Sequence, residues 1–91
     1  MEGIQDFGRL IDFVAGRAHI DPEFREEMNK VTRLSPETMA VKLKTIAEQM
    51  GIDPEVVDNF DLGSIETDSF QGFLGEIYFR YFRDDSIGPE R

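Results

Sequence analysis

The sequence predicts an all-α protein, a small four-helix bundle forming one domain over residues 1–91. Two observations carry this. The same helix-opening phrase appears three times, as IDPEF (20–24), LSPET (34–38) and IDPEV (52–56). Apolar residues also recur at three- and four-residue steps through four separate segments, the spacing that gathers them on one side of a helix. In each opening phrase, Asp or Ser can accept a bond from a free N–H of the first turn. Proline follows where its missing N–H costs nothing, and Glu where the helix dipole favours an anion. The apolar residue before the cap can staple to one inside the helix, Leu34 to Met39 and Ile52 to Val57.

The first helix is expected over residues 2–18, with Ile4, Phe7, Ile11, Val14 and Ala18 on one face. Phe13 lies about 180° from Ile4 at 100° per residue, with Leu10 near it, so a second face is also apolar. Helix two is expected over 22–33, gathering Phe24, Met28 and Val31. Helix three, over 36–50, aligns Met39, Leu43, Ile46, Ala47 and Met50, and Gly51 supplies its stop. A short helical turn follows Asp53, and DNFDLGSIET reads as a loop. The last helix is expected over 69–83. Its stripe is Phe70, Phe73, Leu74, Ile77, Tyr78, Tyr81 and Phe82, with Phe79 pointing away and Glu76 paired to Arg80 at i, i+4. IYFRYF is aromatic enough for a strand, but the length of the stripe favours helix.

Charge narrows the function. The formal net charge is −9, and no Lys or Arg lies between Lys44 and Arg80. That interval holds Glu48, Asp53, Glu55, Asp58, Asp61, Glu66, Asp68 and Glu76. Such a field repels nucleic-acid phosphates and attracts basic protein surfaces. The chain has no cysteine, which removes disulfides, thiol nucleophiles and zinc–thiolate sites. No apolar run reaches the roughly 20 residues of a membrane span, and the first residues lack a signal-peptide pattern, so a cytoplasmic protein is expected.

Ordinary catalysis finds little support. His19 falls between the first two helices with neither a partner nor a pocket supplied by its neighbours, and reads as a surface or capping residue. A calcium loop starting at Asp58 would need ligands at Phe60 and Leu62, which have none to offer. The expectation is a protein that is not an enzyme and carries no metal.

Ser69 has two readings. It can sit in the first turn of a helix capped by Thr67 or Asp68, or it can be an attachment site. The second reading comes from a resemblance. LKTIAEQMGIDPEVV (43–57), DLG (61–63), DSF (68–70) and GFLGEIYFRYFRDDSIGPE (72–90) resemble, in order, pieces of the acyl and peptidyl carrier proteins. IQDFGRLIDFVAGR (4–17) is similar to that family's final helix, which implies a rearranged carrier fold. Four residues, 64–67, stand between Gly63 and Asp68 where the family usually has one. The resemblance implies 4′-phosphopantetheine on Ser69 with Asp68 as the preceding acid. It also implies that Phe70, Glu76 and Ile77 face partners or the acyl chain. The alternative is a non-enzymatic acidic helical module that binds a basic protein: an immunity protein or inhibitor, an adaptor, or a small regulatory subunit. Glu55, Asp58, Asp61, Glu66 and Asp68 would meet that protein's charge, and Phe13, Leu10 and Phe79 would supply apolar contacts.

Overall fold

The structure, a computed structural model, describes residues 3–82. Helices α1 (Ile4–Ile20), α2 (Pro22–Leu34) and α3 (Pro36–Gln49) follow one another with single-residue corners. Two 3₁₀ helices, Pro54–Asn59 and Leu62–Ser64, lead to α4 (Phe70–Tyr81), and no strand occurs among the described residues. The expected first helical position, residue 2, lies outside the described residues. So do the expected helix end at Arg83 and the segment 84–90.

The opening phrases do what their chemistry dictates. Asp21 Oδ1 accepts from the N–H groups of Glu23 and Phe24, Ser35 Oγ from Thr38, and Asp53 Oδ1 from Glu55. Asp21 closes α1 and opens α2, and Ser35 does the same between α2 and α3, both in extended backbone conformations. A residue before proline is excluded from the α region, so each corner turns within one residue. The first helix therefore runs up to Asp21, and His19 lies in its last turn instead of between helices. After α3, Gly51 takes φ 78°. The Ile52 N–H then reaches Ala47 O at 2.8 Å and the Gly51 N–H reaches Glu48 O at 3.1 Å, a Schellman closure that needs the left-handed glycine.

The core draws on every element. Phe7, Ile11, Val14, Phe24, Met28, Met39, Leu43, Phe73 and Ile77 are buried together, joined by Val57, Phe60, Leu62 and Ile65 of the connector. Helix α1 packs against α2, α3, α4 and the first 3₁₀ helix. That central place widens its buried arc and takes in Leu10, which is fully buried. Leu10 is thus a core residue and not the surface contact its position opposite Ile4 suggested. Phe13, from the same second face, is 43% exposed. Of the two expected staples, Ile52 and Val57 enter the core together, while Leu34 is left exposed where the chain turns at Ser35.

An aromatic cluster ties α1 to the connector and to the end of α4. The Phe7 ring stacks on Phe60 at 4.0 Å and meets the edge of Tyr81 at 6.4 Å. Phe82 stacks near Phe7 at 6.1 Å. Edge-to-face and offset-stacked rings add a directional contribution to the area they bury. The Tyr81 hydroxyl also accepts from the Asp61 N–H at 3.1 Å, which pins the connector to the C-terminal end of α4.

Candidate functional site

Ser69 is itself the N-cap of α4. Its backbone is extended, and its Oγ accepts from the Gly72 N–H at 3.0 Å. The expectation that Thr67 or Asp68 caps this helix is therefore corrected: DSF begins its helix at Phe70, one residue later than the sequence was read. The Thr67 hydroxyl lies over the corner instead, bridging the Ser69 N–H and carbonyl at 3.4 Å each. A further donor of the first turn, the Phe70 N–H, goes to Asn29 Oδ1 of α2 at 2.7 Å. Both N–H groups are held by the chain's own side chains. Ser69→Ala should cost about 1 kcal/mol through loss of the cap, measured by urea unfolding. No measurable change would mean that Thr67 takes over the cap.

The half-buried Ser69 stands at the rim of a cavity of about 350 Å³, shared with His19, Arg25 and Asn29. Arg25 Nη1 donates to Ala18 O at 3.0 Å, a bond that restrains this lining residue. Asp68 is exposed beside the serine. Phe70, expected to face a partner, is instead 1% exposed and stacked near Phe73 in the core. The start of α4 rests on α2, which turns Phe70 inward. Ile77 is likewise fully buried.

The acids lie outside this corner. Glu55, Asp58, Asp61, Glu66 and Asp68 are all exposed. Asp58 pairs with Lys44 at 2.8 Å and Glu76 with Arg80 at 3.1 Å. Among the described residues no Lys or Arg pairs with Glu55, Asp61, Glu66 or Asp68. The connector runs beside α4 in the opposite direction. Asp61 is joined to Tyr81, Ser64 to Arg80, and Thr67 to Ser69.

Helix α4 also meets α1. The Tyr78 hydroxyl donates to Asp12 Oδ1 at 2.7 Å. Burial, then the bond to Asp12 and its negative charge, push the Tyr78 phenol up to about 12, so it remains a donor at neutral pH. On the outer side of these helices, Phe79 is 60% exposed and Ile20 is 79% exposed. Ile20 was missed in the sequence because it sits in an opening phrase. Its seven-residue spacing from Phe13, two helical turns, was the available signal.

Among the described residues, no group of His, Asp and Glu could hold a metal ion, and no helix is long and apolar enough to cross a membrane. Compared with protein-family models, curated proteins and solved structures, the chain matches none.

Proposed function

We propose that this protein is a non-enzymatic binding module that meets a basic protein through its acidic connector. The observation that carries this is the set of exposed carboxylates, Glu55, Asp61, Glu66 and Asp68, that no cation of the described chain neutralises. A protein surface of uncompensated charge accelerates encounter with an opposite surface and rejects like-charged partners. Asp58 and Glu76 contribute less, since Lys44 and Arg80 already answer them. The reading places the protein in the cytoplasm, where a disulfide-free domain needs no oxidising compartment.

Replacing Asp61, Glu66 and Asp68 by Asn, Gln and Asn should slow association with a lysine-rich peptide roughly tenfold at low salt. It should also flatten the salt dependence and leave the melting temperature unchanged. Stopped-flow fluorescence reads all but the last. Association of the wild type that does not respond to salt would refute this reading.

A second reading keeps the resemblance to carrier proteins, with 4′-phosphopantetheine on Ser69 and Asp68 before it. One observation favours it: Ser69 opens a helix at the rim of a cavity that also presents Arg25 and His19, groups suited to a phosphodiester. The binding reading is preferred because it needs no covalent group on a hydroxyl that already caps α4. Intact mass after exposure to a phosphopantetheinyl transferase and coenzyme A separates the two, since only a carrier gains the arm.

A further inference from the structure

The cavity of about 350 Å³ that Ser69 rims is lined from three helices, α1, α2 and α4. Its hydrogen-bond acceptors are already occupied. Ala18 O accepts from Arg25, Asn29 Oδ1 from the Phe70 N–H, and Ser69 Oγ from the Gly72 N–H. The donors of the same side chains are not. The bond to Phe70 fixes which end of the Asn29 amide is oxygen, so its NH2 group still has protons to give. The Arg25 guanidinium, a fork of N–H groups, commits only Nη1 to the Ala18 carbonyl. The Ser69 hydroxyl keeps its proton. The Gln71 N–H, in the first turn of α4 between the bonded Phe70 and Gly72, meets no acceptor among the described residues.

Charge agrees with this surplus of donors. The lining includes Arg25 and His19 but no Asp or Glu. Among the described residues no carboxylate pairs with either of them. The N-terminal end of α4 adds the partial positive charge of its dipole. The chain's net charge of −9 opposes an anion from a distance. Salt screens exposed charges beyond about 8 Å at physiological ionic strength, so the groups in the wall govern what binds. Ala15, Ala18, Phe70 and Leu74 complete the wall with apolar surface. A few polar groups set in an apolar wall of this size suit a small ligand. We infer that the cavity binds a small organic acid, an oxyanion on an apolar body. The oxyanion, a carboxylate or a phosphate monoester, takes its bonds from Arg25, Asn29 and Ser69, and the body lies on Ala15, Ala18 and Leu74. An inorganic anion leaves the apolar wall in water, and a neutral apolar molecule gives the donors nothing to bond. The site needs no covalent group on Ser69 and none of the connector acids, so it stands apart from both readings above.

The test titrates the full, unmodified chain at physiological salt, read by amide NMR shifts. The probes are 2-naphthoate, 2-naphthyl phosphate, the neutral 2-naphthamide and inorganic phosphate. At least one of the two acids should bind about tenfold or more tightly than the amide, since hydrogen bonds to an ionised group are the stronger ones. It should move the signals of Ser69, Gln71 and the Asn29 side chain. The tighter acid names the head group. Arg25→Gln should weaken that acid about tenfold and leave the amide unchanged. Ala15→Leu, which fills the apolar wall with a good helix former, should melt no lower than the wild type. It should still weaken the acid, while the shifts caused by inorganic phosphate persist. Acids that bind no better than the amide, or that ignore Arg25→Gln, would overturn the oxyanion site. Inorganic phosphate binding as tightly as the better acid, with Ala15→Leu silent, would overturn the apolar body. No movement of these signals at millimolar probe would overturn the inference outright. Neutralising Asp61, Glu66 and Asp68 should leave the acid bound at least as tightly, so failure here is read separately from failure of the connector to bind a basic peptide.

Discussion

Phe7→Ala should lower the stability of this protein by about 3–5 kcal/mol, as deletion of a fully buried phenylalanine does. Phe7 has no exposed surface, and it stacks on Phe60 at 4.0 Å with an interplanar angle of 12°. It also touches Tyr81 and Phe82 near the end of α4. Removing the ring leaves a void bordered by three aromatic side chains, Phe60 from the connector and Tyr81 and Phe82 from the end of α4, so the site cannot collapse easily. Small domains hold a total of about 5–15 kcal/mol, and the variant should therefore be close to unfolded at physiological temperature. Urea melts check this: the midpoint should fall steeply while the slope stays constant. Phe13→Ala is the matched control on the same helix. With its ring 43% exposed, it should cost far less. Similar losses at both positions would mean that the outer face of α1 is not a surface at all.

Gly72→Ala should destabilise the protein by about 1–3 kcal/mol, although alanine favours a helix interior by about 1 kcal/mol over glycine. A Cβ at residue 72 would collide with Thr67 Oγ1 and stand 3.1 Å from Ser69 Oγ. Thr67 is β-branched and stiff, and turning it aside breaks its bridge across Ser69. In a Thr67→Ala background the obstructing oxygen is gone, and the same glycine replacement should become neutral or stabilising. A double-mutant cycle by thermal melts reads the coupling directly. Additive effects would show that the corner before α4 is looser than its contacts imply. Gly75 provides the contrast, since nothing crowds it.

Several features of the site were legible in the sequence for local reasons. The Asp-Pro-Glu and Ser-Pro-Glu phrases act within four residues, so their caps are all in place. The Glu76–Arg80 pair and the outward turn of Phe79 follow from helix geometry alone. The concentration of acids between Lys44 and Arg80 is a property of the chain itself. Their freedom from cations is not, because Lys44 reaches Asp58 across a turn of the fold.

The remainder depended on which surfaces meet. Leu10 looks like a contact residue by phase and Phe70 by the resemblance to carrier proteins, and both are buried because α1 is covered by four elements and α4 begins against α2. Among Thr67, Asp68 and Ser69 the cap is Ser69, and Asn29, distant in sequence, takes the neighbouring Phe70 N–H. Three adjacent residues could each supply a capping oxygen, and no local rule ranks them. By itself the sequence determined the helices, their starts and the acidic connector, because those depend on bonds and spacings within a few residues. The tertiary structure decided which apolar residues remain at the surface, because burial is set by neighbours that chain order does not reveal.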